Sequence, residues 1–225
     1  MTRIFDVLLS GLALLILAPL LVAVIILLHF TGEGHVFYSQ ERVGINGRKF
    51  DLLKFATMLK DSPNMGSGHI TLKDDRRVLP VGRFLRRSKI NELPQLINIF
   101  KGDMSVVGPR PLTERNFSYY SSKDRQEIAS VRPGLTGVGS IVFRDEERYL
   151  NQQQDPLQFY QKVIAPYKAE LELWYLRNQS LLMYFKLVIL TALVVLFPDS
   201  SLRDRWLAGK PAMPNAIREV ASLEQ

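Results

Sequence analysis

The 225-residue chain carries 29 lysines and arginines against 22 aspartates and glutamates, a net charge of +7, and no cysteine. The lack of cysteine excludes disulfides and thiolate metal sites. The positive charge suits an anionic membrane surface or anionic substrates, and nucleic acid is not expected as a partner because no recognised motif for it accompanies the charge.

Residues 4–30 are almost wholly apolar after Asp6, long enough to cross a bilayer. Ala18-Pro19 falls in the middle of the run, where proline removes an N–H and clashes with the carbonyl four residues back. Arg3 precedes the segment, while Arg42, Arg48 and Lys49 follow it. If the positive-inside tendency acts at both ends, both ends face the cytoplasm. A cleaved signal peptide and an ordinary spanning helix are the rival readings; the expectation is a re-entrant helix-break-helix over residues 1–31, with Pro19 as the break.

Short strands and turns follow. His35 to Tyr38 is a β-like run, and Gly44 and Gly47 punctuate the turn before Phe50 to Phe55. Residues 61–75 are rich in Gly, Ser, Pro, Asn and Asp and read as a mobile loop. His69, inside it, has no partner at ligand spacing and reads as a loop residue.

The densest stretch is RRSKINELPQLINIFKGDMSVVGPRP, from Arg86 to Pro111. Leu93, Leu96, Ile97 and Phe100 recur at the spacing of one buried helix face. Pro94 is tolerated in a first turn, so Asn91 is expected as N-cap, Glu92 in the first turn and Gly102 at the close. Capping explains Asn91 and Glu92 well. It does not explain why Arg86, Arg87 and Lys89 lead in and a rigid Pro-Arg-Pro turn presents Arg110. A helix start bracketed by cations suits phosphate.

Residues 113–130 have a helical, amphipathic pattern. Val131 to Gly137 (VRPGLTG) reads as a β-turn carrying a cation, Arg132. Residues 144–156 are polar and lead to a helix reaching Arg177 that contains Glu170, Glu172, Trp174 and Tyr175. A second apolar run, SLLMYFKLVILTALVVLF, is interrupted by Lys186 and is marginal for a span. An amphipathic helix in the interface, with Trp174, Tyr175 and Tyr184 at headgroup depth, is one reading. A buried helix or a second span are the others. The tail from Pro198 is polar and expected to be flexible.

These motifs carry a resemblance. NELPQLINIFKGDMSVVGPRP is similar to the signature of the bacterial sugar transferases, the monotopic polyprenyl-phosphate phosphoglycosyl transferases, whose usual form is DELPQL, then N, KGDMS and GPRP. Phe37, Gln40, Arg42, Gly44, Gly47, Phe50, Lys54 and Phe55 resemble a second family stretch, and RPGLTG a third. The resemblance covers about residues 5–196. Departures fall at Ala18, where serine is usual, Ala56, where arginine is common, and Val138, often tryptophan. The most consequential is Asn91, which replaces the aspartate of the family's Asp-Glu dyad. An acid is kept at Glu172, where the family has an aspartate.

The resemblance implies transfer of a sugar-1-phosphate from a UDP-sugar to a polyprenyl phosphate such as undecaprenyl phosphate, releasing UMP, with Mg²⁺ as cofactor. It implies catalysis at Glu92 and position 91, phosphate binding by Lys54, Arg86, Arg87, Arg110 and Arg132, and metal binding by Glu92 and Glu172. The family dyad aspartate attacks phosphorus, and an amide is a poor nucleophile. Three readings follow. Glu92 is the nucleophile with Asn91 orienting it; or the lipid phosphate attacks directly with Glu92 and Glu172 serving Mg²⁺; or the chain is a non-catalytic, prenyl-phosphate-binding relative or a trapped Asp-to-Asn variant.

The expected fold is α+β, a mostly helical cytosolic domain (32–197) with a few short strands. It sits on the re-entrant helix and interfacial amphipathic helices, with a C-terminal tail (198–225). The expected location is the cytoplasmic face of a bacterial inner membrane, with membrane lipid as a partner. Downstream glycosyltransferases would consume the product, and a homodimer is possible.

Overall fold

The structure is a computed structural model that describes residues 2–31, 33–65, 75–197 and 205–222. His69 and most of the loop around it lie outside the described residues.

The first helix, α1 (Thr2–His29), runs through Pro19 without interruption. The helix-break-helix expected at Pro19 is therefore not a break in helical structure. The Pro19 ring lies on the exposed face, while Leu17 and Leu21 on either side of it pack against the domain. Packing on both sides holds the two halves in one helix despite the missing hydrogen bond.

At 1.5 Å per residue α1 is about 42 Å long, and it lies on the domain along that whole length. Phe5 and Leu9 meet the main core, Ala13, Leu14 and Leu17 meet Leu96, Ile99 and Met104, and Val24 and Leu28 meet Phe55 and Leu85. The opposite face is bare and apolar, with Ile4, Leu8, Leu15, Ile16 and Ile26 all more than half exposed. Asp6 is the acid in this run, and it is 1% exposed. Its carboxylate accepts hydrogen bonds from Ser105 Oγ, the Val106 N–H and Tyr184 Oη, each at 2.9 Å. A buried carboxylate is tolerated where donors surround it, and here it ties three elements together.

Strands β1 (Phe37–Val43) and β2 (Lys49–Phe55) form an antiparallel hairpin in which Phe37 faces Phe55. A 3₁₀ turn at Ile45–Gly47 joins them, with Asn46 at φ +55° and Gly47 at φ +74°. Short strands flanking a turn at Gly44 and Gly47 were expected here, but β1 runs on to Val43 rather than ending at Tyr38.

Helix α2 (Pro80–Arg87) ends at Lys89, whose φ of +60° turns the chain sharply. The expected capped helix from Asn91 does not form in that way. Ile90–Glu92 is a 3₁₀ turn, and helix α3 (Gln95–Lys101) begins after Pro94. Asn91 makes no side-chain cap, and Phe100 is exposed while Ile99 is fully buried. The tight turn at Lys89 uses residues 90–92 to redirect the chain, which shortens α3 and rotates its buried face. Gly102 closes it with φ +104°, as expected.

The segment read as a β-turn is instead strand β4 (Gly134–Thr136), paired in parallel with β3 (Ser105–Val107). A Cβ on Gly134 would lie 2.1 Å from Gly108 N, and one on Gly108 would lie 2.6 Å from the Arg132 carbonyl. The two glycines let the GPRP and RPGLTG backbones touch, and the Gly108 N–H donates to Thr136 O at 2.9 Å.

Residues 113–130 form two short helices, α4 (Glu114–Phe117) and α5 (Ser122–Ile128), capped by Thr113 and Ser121. Then come α6 (Val138–Val142), α7 (Glu146–Asn151), α8 (Pro156–Phe159), a π turn at Tyr160–Ile164, and α9 (Ala165–Arg177). Helix α10 (Leu181–Leu196) packs Tyr184, Leu187, Leu190 and Val194 into the main core. Tyr175 and Tyr184 are buried in that core, and Trp174 packs partly buried against it.

The described part of the C-terminal tail is also docked. In helix α11 (Asn215–Ser222) Ile217 is fully buried, as is Leu207 before it, and Tyr167 Oη donates to Pro211 O at 3.0 Å. Leu207, Ile217 and Val220 join the main core, with Trp206 and Met213 packed against it, and these hold an otherwise polar segment. The architecture is a mixed α+β fold, mostly helical, with two small sheets.

Candidate active site

The two sheets and the turn at Lys89 converge on a cleft of about 1860 Å³. Among the described residues thirteen lysines and arginines line it against six carboxylates, which gives it a positive potential. At its centre Glu92, on the 3₁₀ turn, receives Arg110 from the Pro-Arg-Pro turn in a two-pronged pair: Nη2 to Oε1 at 2.5 Å and Nη1 to Oε2 at 3.3 Å. Lys54, projecting from β2, reaches Glu92 Oε1 at 3.6 Å. Asn98 sets the register of these pieces. Its side chain accepts from the Leu53 N–H at 3.0 Å and donates to Asp51 O at 2.8 Å, locking α3 to β2.

The charges are mutually dependent. Burial pushes the Glu92 carboxyl up, but Arg110 and Lys54 outweigh it and hold the group well below the usual range. Burial, aided by Arg110 and Arg42, pulls the Lys54 ammonium down to about 7. Arg42 is lowered to about 10 by burial and by Arg110. Arg110 itself is held protonated by Glu92, so the pressure of burial and like charge falls on Lys54 and Arg42.

Glu172, on α9, is 3% exposed. It touches the centre through the backbone of Arg110, whose N–H donates to Oε1 at 3.4 Å, while Oε2 is buried without a partner. Burial raises its carboxyl to about 7. Glycine at 139 makes room for it, since a Cβ there would lie 2.4 Å from Glu172 Oε1. The exposed helix face that a glutamate at 172 would ordinarily occupy is not where it lies.

The expected site residues separate into two groups. Lys54, Glu92, Arg110, Asn91 and Glu172 are brought together. Arg86 lines the same cleft, paired with Glu147 of α7 at 3.0 Å, and Arg87 lies exposed at the rim. Arg132 does not join them. It is exposed, lies outside the cleft lining, and donates to the Gly102 carbonyl at 2.9 Å, at the far end of α3. Arg42, Lys89 and the buried Lys168–Glu146 pair also face the cleft. The sequence had already drawn attention to Arg42 and Lys89, but not to Lys168 and Glu146, whose pairing joins α9 to α7.

Asn91 is 7% exposed and its Oδ1 is buried without a partner, as are both amide atoms of the neighbouring Gln95. Among the described residues no group of three His, Cys, Asp or Glu forms a metal cage. Mg²⁺ commonly takes one or two carboxylates together with substrate phosphates and water. Glu92 and Glu172 are carboxylates in the cleft, Glu172 Oε2 without a partner, so they could serve a cation that arrives with a diphosphate, while the Asn91 amide is a weaker ligand.

Comparison with known proteins agrees with this geometry. A family model described as Bacterial sugar transferase matches residues 1–198. The exopolysaccharide production protein ExoY of Sinorhizobium fredii is 42% identical over 161 residues, covering 65% of this chain and 71% of that protein. A UDP-glucose:undecaprenyl-phosphate glucose-1-phosphate transferase of Xanthomonas campestris is 32% identical over 194 residues, 85% of this chain but 38% of that longer protein. An undecaprenyl-phosphate galactose phosphotransferase of Salmonella typhimurium is 30% identical over 213 residues, 88% of this chain and 41% of its own length. With its signature residues gathered in one basic cleft and nearly its whole length matched, the chain belongs to the bacterial sugar transferase family.

Proposed function

We propose that this chain transfers a sugar-1-phosphate from a UDP-sugar to a polyprenyl phosphate at a membrane surface and releases UMP. The observation that carries the reading is the Glu92–Arg110–Lys54 centre in a cation-rich cleft, on a domain that lies along an apolar helix. Relatives named for undecaprenyl-phosphate glucose and galactose phosphate transfer support it.

Both oxygens of Glu92 are engaged by Arg110, and its basicity is low. That suits it better to holding Arg110 and Lys54 for phosphate than to attacking phosphorus. In this reading an oxygen of the lipid phosphate attacks the β-phosphorus directly, and the bond to the α-phosphate oxygen breaks as UMP leaves. Arg110, Lys54 and Arg86 neutralise the charge that builds there. Glu92 and Glu172 would help hold Mg²⁺. When bound, that ion would screen the diphosphate and favour departure of UMP.

The exposed face of α1 argues for a monotopic seat. Both ends of the helix pack on the same domain, so a perpendicular span would carry domain residues into lipid. We infer a shallow or re-entrant placement, with the cleft on the cytoplasmic side of a bacterial inner membrane, where UDP-sugars are supplied.

The test is UMP release from nanodisc-purified protein given Mg²⁺, undecaprenyl phosphate and a panel of UDP-sugars, with Asn91→Asp alongside. UMP from the native chain supports the reading. Direct attack also requires sequential kinetics and no ³²P on the protein from β-labelled donor. Activity in Asn91→Asp alone would identify the native chain as a trapped or decayed relative. Silence from both proteins across the panel would leave a non-catalytic binder of prenyl phosphate.

A further inference from the structure

One wall of the cleft takes no part in the charged centre. Val188, Ala192 and Val195 of α10 line it, at the i, i+4, i+7 spacing of a single helix face. They offer no hydrogen bond to a nucleotide or a sugar. On the neighbouring stripe of the same helix Leu182, Ile189 and Leu196 are 79%, 51% and 69% exposed, so the apolar wall continues onto an apolar outer surface. That surface meets the membrane-facing helix: the Phe185 ring packs edge-on against Phe5 of α1 at 5.2 Å.

The wall is also fixed in place. Tyr184 Oη donates to Asp6, Thr191 Oγ1 lies 2.5 Å from Thr136 Oγ1 of β4, and Arg144 donates to the Val194 carbonyl. The cleft thus has cations at its centre and, on one side, a rigid apolar strip leading out to the bare faces of α10 and α1. A molecule complementary to both has an anionic head and a long hydrocarbon tail. A soluble nucleotide sugar would leave the strip wet.

We propose that Val188, Ala192 and Val195 form the track for the isoprenoid tail of the acceptor, guiding its phosphate to Arg110 and Lys54. This rests on the transferase reading above. Alanine at 192 keeps the track open, and a bulky side chain there would narrow it.

The test is Ala192→Trp, at an exposed position where the fold has room for the larger ring. The KM for undecaprenyl phosphate should rise about tenfold or more, while the KM for the UDP-sugar stays within about twofold. The difference from the native protein should shrink with a short, two-isoprene phosphate that does not reach residue 192. An unchanged KM for the long acceptor, or an equal loss with the short one, would overturn the assignment. A second measurement needs no turnover: a diazirine-bearing polyprenyl phosphate is photolysed on the native protein in nanodiscs, with undecaprenyl phosphate as competitor. Competed labelling within 187–197 supports the track, and labelling confined to α1 or absent altogether sinks it. Labelling at 187–197 without transfer to any sugar would keep the track and sink the transferase reading. Transfer without that labelling would do the reverse.

Discussion

The two ends of α3 both collect arginines, and they use them in opposite ways. At the N-terminal end Arg110 meets a partly buried carboxylate, Glu92, beside Lys54, whose ammonium is pulled down by burial. At the C-terminal end Arg3 donates to the carbonyls of Ile99 and Phe100 at 2.5 and 2.8 Å, and Arg132 to that of Gly102. There the guanidiniums satisfy the last turn of a helix, where cations are favoured by the dipole. On the proposed reading one end receives anions; the other is a clasp between α1, α3 and the turn before β4. The same residue type is chemistry or carpentry according to what faces it.

The sharpest test of the comparison is Glu92→Gln. It leaves the partly buried Arg110 and Lys54 without their counter-charge, and UMP release should fall about a thousandfold as two cations of the centre lose their anchor. Retained activity would remove Glu92 from the centre. Glu172→Gln probes the same end through pH. Because folding raises this carboxyl to about 7, the native state holds its proton more tightly than the unfolded chain. Stability is then greatest below the unfolded value, falls by about 3 kcal/mol as pH rises from about 4.5 to 7, and is level above that. Melting curves in chelator should show that slope in the native protein and lose it in Glu172→Gln.

Arg110→Lys and Arg132→Lys compare the two ends directly. Lysine cannot reproduce the two-pronged pair, so the first should lose about a hundredfold in turnover. The second should change it less than about threefold, because a single carbonyl contact can be replaced. Equal losses would collapse the distinction. The smallest effect is expected for Arg3→Ala, about 1 kcal/mol of stability by denaturation, with activity per folded molecule retained.

The family motifs, the turn punctuated by Gly44 and Gly47 and the closing glycine of α3 were legible because each rests on neighbours within a few residues. The separation of Arg110 from Arg132 was not. Both sit in stiff Pro-containing turns, and only the parallel pairing of β3 with β4 sends one into the cleft and the other to the far end of α3. Asp6 carried a usable signal: a lone acid in an apolar run needs buried partners. Those partners are about a hundred and 178 positions away, so their identity was invisible.

By itself the sequence determined the apolar N-terminal helix, the short strands, the positive charge and the signature of a bacterial sugar transferase. These follow from local periodicity, turn chemistry and composition. The tertiary structure alone decided that α1 stays whole through Pro19, that Glu172 is buried, that the polar tail docks through Ile217, and which arginines face the cleft. Each depends on contacts between segments far apart in the chain, where burial and pairing outweigh local preference.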